Sequence, residues 1–147
     1  GWDMRVIGVP KTIDNDLPHT DHTPGYGSVI KYVASTVMEV GFDVGSMATD
    51  DGSCCIIEVM GRDSGFIALG SAYGQPDIIL IPEVPVEMDR LEHRIASLYD
   101  LQKHVVIVIG EGVRDESGQQ LGAQTKSFDP AGNVVLRNPL PTNPGMP

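Results

Sequence analysis

The chain has 147 residues, 41% hydrophobic and 20% charged, a balance typical of a soluble globular protein rather than a disordered one. Its net charge of −10 argues against nucleic acid as a partner, and its apolar runs are far too short to cross a bilayer. Cys54 and Cys55 are adjacent and would point to opposite faces of a strand, which argues against a disulfide and favours a cytoplasmic location.

The first third of the chain predicts a strand, a loop and a helix. The apolar run at residues 4–9 predicts a buried strand that stops at Pro10. Residues 10–25 contain prolines and many short polar side chains, which predict a long loop. Valines recur at helical spacing over residues 26–40 and predict a helix, with Gly41 as its C-cap.

The middle of the chain alternates between strand and helix patterns. After a turn-rich stretch, the predicted elements are a strand at 54–59, a short helix that Asp63 or Ser64 caps and that ends at Gly74, a strand at 77–81, an amphipathic helix over 88–101 and a strand at 104–109. This alternation implies right-handed crossovers and a mainly parallel sheet with helices on both faces, which is an α/β fold. Residues 114–147 are polar and finally proline-rich, and they predict an irregular, poorly ordered tail.

Polar side chains follow three of the predicted strands. Ligands bind at the carboxyl ends of strands in open α/β sheets, so these side chains predict a polar site at one edge of the sheet. The three clusters are Lys11, Thr12, Asp14 and Asp16 after the first strand, Met60, Gly61, Arg62 and Asp63 after the second, and Glu111 between two glycines after the fourth.

These side chains can supply what phosphoryl transfer to a hydroxyl requires, namely a carboxylate base, cations and groups that hold the reactants in line. Asp14 is the candidate base, and Asp16 could orient it or help to hold a metal-bound phosphate. Thr12 could bind the sugar or the phosphoryl oxygens, while Lys11 and Arg62 would supply positive charge. The residues alone leave a structural interpretation open, because loop aspartates commonly bond their own backbone and Arg62 could form a surface salt bridge.

Two motifs resemble the signatures of the phosphofructokinase family. Pro-Lys-Thr-Ile-Asp-Asn-Asp at residues 10–16 resembles the first and Glu-Val-Met-Gly-Arg at residues 58–62 the second, and their order and separation also match. The resemblance implies a phosphofructokinase-like, Rossmann-type three-layer sandwich with a mainly parallel sheet. It makes residues 1–113 the central part of the domain, with the catalytic loop and the sugar-phosphate-binding half. The tail at 114–147 resembles the family only loosely, and its last dozen residues do not resemble it at all.

The resemblance also implies roles for the residues that match family motifs. Asp14 matches the catalytic base that deprotonates the 1-hydroxyl of fructose 6-phosphate. Glu83 falls where allosteric members contact an effector from a neighbouring subunit. Mg²⁺ is the implied cofactor, although the sequence assigns no metal ligands. The matched substrate-binding positions are Thr12, Asp16, Met60, Gly61, Arg62 and Glu111.

Lys11 bears on the phosphoryl donor. Many ATP-dependent members of the family carry glycine at this position and pyrophosphate-dependent members carry lysine, whose ammonium group takes the space and charge of an inner nucleotide phosphate. The run Pro-Gly-Tyr-Gly-Ser at residues 24–28 also resembles the pyrophosphate-dependent members. The resemblance therefore favours transfer from pyrophosphate to fructose 6-phosphate, giving fructose 1,6-bisphosphate in glycolysis, with ATP as the alternative donor.

Two departures from the family pattern bear on this function. Ser53 stands where many ATP-dependent members have an arginine that reaches a neighbour's sugar phosphate. The donor-phosphate loops of the family would precede Gly1, so we expect a fragment that is inactive alone and belongs to a full-length homo-oligomeric enzyme. The remaining alternative is a catalytically incomplete fragment that acts only as a folded binding or assembly module.

Overall fold

The computed structural model describes residues 1–50 and 52–121, together with the backbone at 125–128 and 134–137. No helix within these residues is both long and apolar enough to span a membrane. The elements in chain order are α1 (Tyr26–Ser46), β1 (Ser53–Val59), α2 (Phe66–Gly70) with a following 3-10 helix (Ser71–Gly74), β2 (Ile78–Leu80), α3 (Met88–Gln102), β3 (His104–Gly110), β4 (Thr125–Phe128) and β5 (Val134–Arg137).

The first three strands form a parallel sheet in the order β1-β3-β2. Val59 lies opposite Gly110 and Leu80 lies opposite Ile109, so the three carboxyl ends meet at one edge of the sheet. The chain passes from β1 to the far strand β2 by way of α2, and it returns to the central strand by way of α3 on the other face. Because the direction and the face reverse together, both crossovers have the same hand, as expected for parallel strands.

Strand β3 lies at the centre of the core because its side chains alternate between two helical layers. Val106 and Val108 pack with buried residues of α1 and α2. On the opposite face, Val105 and Ile107 pack with Leu98 of α3. The predicted three-layer α/β sandwich with a mainly parallel sheet is therefore confirmed.

Helix α1 is longer than the sequence pattern indicated. It begins at Tyr26, as predicted, but it runs through Gly41 and ends at Ser46. Gly41 lies over the sheet, where an added Cβ would come 3.9 Å from Cγ2 of Val106. Buried Val44 extends the apolar face by a further turn. The predicted C-cap at Gly41 is wrong because packing against the sheet outweighs the low helix propensity of one glycine.

The predicted strand at residues 4–9 is not a strand. Residues 1–10 have no regular secondary structure, and all of them are exposed. Trp2 is 100% exposed and Ile7 is 89% exposed. A short apolar run becomes a buried strand only when a neighbouring strand takes up its backbone hydrogen bonds, and none of the described strands pairs with this segment. The prediction is wrong for that reason, although most side chains of the segment are apolar.

The stretch predicted to be an irregular tail contains a pair of strands. Strands β4 and β5 are antiparallel, with Thr125 opposite Arg137 and Phe128 opposite Val134. Each has four residues and no long apolar alternation, so the sequence pattern did not indicate them. The other residues beyond 121 lie outside the described residues, and the predicted poor order of this tail stays a prediction.

Candidate functional site

Three loops leave the aligned carboxyl ends of the sheet, where ligands bind in open α/β folds. They span residues 60–65 after β1, 81–87 after β2 and 111–121 after β3. The long loop at 10–25, which precedes α1, contacts the first of them. All of the predicted site residues lie on the loops at 10–25 and 60–65 or at the end of β3.

The side chain of Glu111 anchors the loop at 60–65 by binding the backbone of that loop. Its Oε1 accepts hydrogen bonds from the backbone N–H of Gly61, at 3.1 Å, and of Arg62, at 2.6 Å. Both residues have positive φ, 137° for Gly61 and 49° for Arg62, so the backbone turns sharply beside the carboxylate. Hydrogen bonds to an ionised acceptor are stronger than neutral ones. Glu111 therefore holds this loop, and its Oε2 has no hydrogen-bond partner among the described residues.

A second carboxylate anchors the other end of the same loop. Oε1 of Glu83 accepts a 2.7 Å hydrogen bond from the N–H of Gly65, which is the N-cap of α2. An added Cβ on Gly65 would lie 2.6 Å from Oε2 of Glu83 and 2.7 Å from Cβ of Ile81, so only glycine fits. The predicted cap by Asp63 or Ser64 is wrong because a carboxylate distant in sequence satisfies this N–H instead.

Asp14 lies beside this loop with one carboxylate oxygen that has no partner. Its Oδ1 is buried and makes no hydrogen bond to any described residue. Ser64 Oγ donates to the backbone carbonyl of Asp14 at 3.2 Å, and the Asp14 N–H donates to Thr12 Oγ1 at 3.1 Å. A buried acceptor without a partner costs free energy that a donor group of a ligand would recover. Asp14 is therefore suited to accept a hydrogen bond from a hydroxyl group.

The predicted cations Lys11 and Arg62 are exposed, and neither belongs to an ion pair in the part of the chain that the structure describes. The one salt bridge found there joins Arg90 to Glu87 at 3.9 Å. The alternative interpretation of Arg62 as half of a surface salt bridge therefore finds no support. Both cations remain available to an anionic ligand. Two further predicted site residues, Asp16 and Met60, are also exposed.

Asn15 is a site residue that the sequence reasoning missed. It is only 7% exposed and has a left-handed backbone with φ 60°. Its Oδ1 accepts hydrogen bonds from the N–H of Thr23, at 2.9 Å, and from the hydroxyl of the same residue, at 3.3 Å. Its Nδ2 donates to the carbonyl of Asp21 at 3.2 Å. The available signal was its residue type, since asparagine tolerates this conformation and commonly binds backbone groups in loops.

The described residues contain no group of three or more His, Cys, Asp or Glu side chains that could hold a metal ion. His22 packs edge-on against Tyr26, with ring centroids 5.3 Å apart. Mg²⁺ needs no such group, because it commonly binds one or two carboxylates together with phosphate oxygens and water. The exposed carboxylate of Asp16 has the chemistry that this mode of binding requires.

Two side chains near the amino end of β1 have shifted pKa values. Burial raises the pKa of the Cys54 thiol, and a hydrogen bond with Tyr99 opposes this rise. Burial also raises the pKa of the Tyr99 hydroxyl. Because Cys54 lies at the end of the strand opposite to the candidate site, neither shift bears on the proposed chemistry.

Comparisons with known proteins agree on one family. The family model described as Phosphofructokinase matches residues 1–135. The pyrophosphate–fructose 6-phosphate 1-phosphotransferase of Halomonas elongata is 38% identical over 152 residues, covering 99% of this chain and 36% of that protein. The ATP-dependent 6-phosphofructokinase of Amycolatopsis methanolica is 36% identical over 146 residues, covering 94% and 31%. The chain thus spans about a third of the length of the curated relatives it matches.

A solved structure agrees with these sequence similarities. The crystal structure of a pyrophosphate-dependent phosphofructokinase from Nitrosospira multiformis is 36% identical, with a TM-score of 0.72. The likeness covers 81% of this chain and 32% of that one. The predicted phosphofructokinase-like fold is therefore confirmed.

Proposed function

Because this chain belongs to the phosphofructokinase family, we propose that it takes part in phosphoryl transfer from pyrophosphate to the 1-hydroxyl of fructose 6-phosphate. The product would be fructose 1,6-bisphosphate. The observation that carries this proposal is the buried Oδ1 of Asp14, which has no hydrogen-bond partner among the described residues. The hydroxyl group of the acceptor would donate its hydrogen bond to this oxygen.

Asp14 would act as the general base. It would take the proton of the 1-hydroxyl as the sugar oxygen forms its bond to phosphorus, while the bridging P–O bond of pyrophosphate breaks and inorganic phosphate leaves. The contacts of Asp14 with Ser64 and Thr12 support this role because they hold its backbone beside the loop at 60–65.

The cations would neutralise the charge that moves with the phosphoryl group. Lys11 and Arg62 are exposed and outside any ion pair in the described residues, so they could bind phosphate oxygens. Asp16 would hold a Mg²⁺-bound phosphate, and Mg²⁺ would supply further positive charge to the donor. Glu111 would bind the sugar through Oε2, because its Oε1 already binds two backbone N–H groups.

Lys11 supports pyrophosphate as the donor. Its ammonium group would occupy the region that an inner phosphate of a nucleotide needs. Overall similarity separates the donors poorly, since the Halomonas relative is named for pyrophosphate at 38% identity and the Amycolatopsis relative for ATP at 36%. The choice of donor therefore rests on Lys11 and on the resemblance at residues 24–28.

The proposed reaction belongs to a longer polypeptide, here called the full-length parent. The chain spans 36% of its Halomonas relative, and the residues assigned above account mainly for the acceptor. The parent is proposed to be a cytoplasmic homo-oligomer that acts in glycolysis. The same coverage favours a second candidate function, in which the 147 residues alone form only a folded binding or assembly module.

Replacing Asp14 tests the proposed base. In the full-length parent, Asp14→Asn keeps the shape of the side chain but removes its basicity, so kcat should fall by about 10²- to 10⁴-fold while KM for fructose 6-phosphate changes little. Asp21→Asn is the matched control, because Asp21 is an exposed aspartate of the same loop. An Asp14→Asn enzyme with nearly normal kcat would contradict the proposal.

A coupled assay for fructose 1,6-bisphosphate tests the donor. We expect the full-length parent to use pyrophosphate and to use ATP poorly, and we expect Lys11→Gly to shift this preference towards ATP. Lys31→Gly changes an exposed lysine on α1 and serves as the control. Strict use of ATP by the unaltered parent would contradict pyrophosphate as the donor, but it would not contradict fructose 6-phosphate as the acceptor.

The isolated chain separates the two candidate functions. We expect the 147 residues alone to show no turnover with either donor, and calorimetry should show weak or absent binding of fructose 6-phosphate. Measurable turnover by the isolated chain, lost on Asp14→Ala, would contradict this expectation.

A further inference from the structure

We infer that Asn15 is a positioning residue, which holds the carboxylate of Asp14 in place by joining its own loop to Thr23. This inference rests on the proposed function of Asp14 as the base. It concerns a residue that touches neither the acceptor nor the donor in the proposed mechanism. Its basis is the set of contacts that Asn15 makes and the contacts that Oδ1 of Asp14 lacks.

The position of the Asp14 carboxylate depends on its backbone. Its Oδ1 makes no hydrogen bond to any described residue, so no such bond holds this oxygen where the acceptor would bind. The groups that bind Asp14 do so through its main chain, namely Thr12 at the N–H and Ser64 at the carbonyl. The next residue along the chain, Asn15, determines how the backbone leaves this point.

Asn15 fixes the direction of that backbone. Its φ of 60° is left-handed, a conformation that residues other than glycine, asparagine and aspartate seldom adopt. Asp14, just before this turn, is partly buried, whereas Asp16, just after it, is exposed.

Three hydrogen bonds hold the Asn15 side chain, and they lead to the core. Its Oδ1 accepts from the N–H and the hydroxyl of Thr23, which is 0% exposed, and its Nδ2 donates to the carbonyl of Asp21. The carbonyl of Thr23 in turn accepts the N–H of Tyr26, the first residue of α1. Because α1 packs on the sheet, Asn15 connects the loop that carries the base to the rigid part of the fold.

Glycine and alanine replacements separate the two contributions of Asn15. Asn15→Gly keeps the left-handed backbone accessible and removes the hydrogen bonds, whereas Asn15→Ala removes both. In the full-length parent, kcat of Asn15→Gly should fall by about 10- to 100-fold, since a small displacement of a catalytic group costs up to about 100-fold. KM for fructose 6-phosphate should stay nearly constant, and Asn15→Ala should be at least as impaired. The control is His19→Gly, at an exposed left-handed position of the same loop with φ 59°.

Thr23 offers a conservative rescue and a measurement that does not depend on activity. Thr23→Ser keeps the hydroxyl and should retain kcat, whereas Thr23→Val loses that hydrogen bond and should lower kcat less than Asn15→Gly. Hydrogen–deuterium exchange followed by mass spectrometry should show faster exchange in the 12–25 peptide of Asn15→Gly. The rest of the protein, and its thermal midpoint, should change little.

Two results would overturn the positioning role. One is a normal kcat in Asn15→Gly alongside an inactive Asp14→Asn, which would leave the proposed function standing. The other is a loss of kcat accompanied by an equal loss of substrate affinity and by general unfolding, which would mark Asn15 as merely structural. Failure of the proposed function itself is distinguishable, because Asp14→Asn would then retain turnover.

Discussion

At the scale of single residues, Glu111 shows how one carboxylate can serve both the fold and the site. Its Oε1 binds the N–H groups of Gly61 and Arg62, and this fixes the loop that carries the arginine. Only Oε2 is then left for the proposed contact with the sugar. The sequence indicated that a carboxylate follows this strand. It did not indicate the hydrogen bonds from the loop backbone, because they join residues about fifty positions apart and leave no pattern in the local sequence.

Replacing Glu111 should separate these two roles. Glu111→Gln keeps an oxygen that can accept both N–H groups, whereas Glu111→Ala removes the anchor entirely. In the full-length parent we expect Glu111→Ala to lower kcat/KM for fructose 6-phosphate by about 10- to 100-fold, the equivalent of losing hydrogen bonds to a charged group. The same ratio should fall clearly less in Glu111→Gln. Equal losses in the two variants would show that the charge matters and the backbone contact does not.

The thiol of Cys54 gives a prediction about pH. Burial raises its pKa and the hydrogen bond with Tyr99 opposes this rise, so Tyr99→Phe should raise the pKa further. Because the thiolate is the reactive form, alkylation of Cys54 by iodoacetamide should then need a higher pH than in the unaltered chain. Peptide mass spectrometry can follow Cys54 and Cys55 separately, with Cys55 as the internal control. An unchanged or lower midpoint for Cys54 would contradict this prediction.

At the scale of elements, two glycines on the faces of helices have opposite roles. Gly74 ends the 3-10 helix against α1, where an added Cβ would lie 2.9 Å from Cβ of Val37. Gly41 lies inside α1, where the nearest contact of an added Cβ would be an ordinary 3.9 Å from Val106. The close approach of the 3-10 helix to α1 therefore requires glycine at position 74, whereas the packing of α1 on the sheet does not require glycine at position 41.

Alanine replacements should show this difference in the isolated chain. Gly74→Ala should destabilise it by about 1–3 kcal/mol through overpacking. Gly41→Ala should stabilise it by about 0.5–1 kcal/mol, because alanine is the better helix former and its Cβ would make only an ordinary contact with Val106. Urea unfolding followed by circular dichroism measures both free energies. Destabilisation by Gly41→Ala as large as that by Gly74→Ala would refute the proposed packing.

Local patterns predicted most elements correctly and failed where distant contacts decide. Periodic valines located the start of α1, and compact apolar runs located the three parallel strands, because each signal lies within one element. The end of α1 depends on the sheet beneath it, and the cap of α2 depends on Glu83 in another loop. In the site, the motif at 10–16 indicated Asp14, whereas the role of Asn15 depends on Thr23, eight residues away.

At the scale of the whole molecule, much apolar surface is uncovered. The segment at 1–10 is exposed throughout. Ile56 of β1, whose side chain lies on the same side of the sheet as α3, is 64% exposed. Both outer strands of the parallel sheet, β1 and β2, have a free edge among the described residues. Free strand edges and uncovered apolar side chains favour association with further polypeptide.

The isolated chain should therefore self-associate. Sedimentation velocity over a range of concentrations should show species larger than the monomer, and Ile7→Lys should shift the distribution towards the monomer. Leu101→Lys is the matched control, because Leu101 is 80% exposed but belongs to α3 and not to this segment. A chain that stays monomeric at all concentrations would contradict the prediction.

The exposed segment also carries a built-in optical label. Trp2 is the only tryptophan of the chain, and it is 100% exposed. The fluorescence of an indole ring moves to shorter wavelength when apolar groups replace water around it. A polypeptide that covers residues 1–10 should therefore cause a blue shift in the emission of Trp2. The rate of its binding could then be measured on the unmodified protein, without attaching a dye.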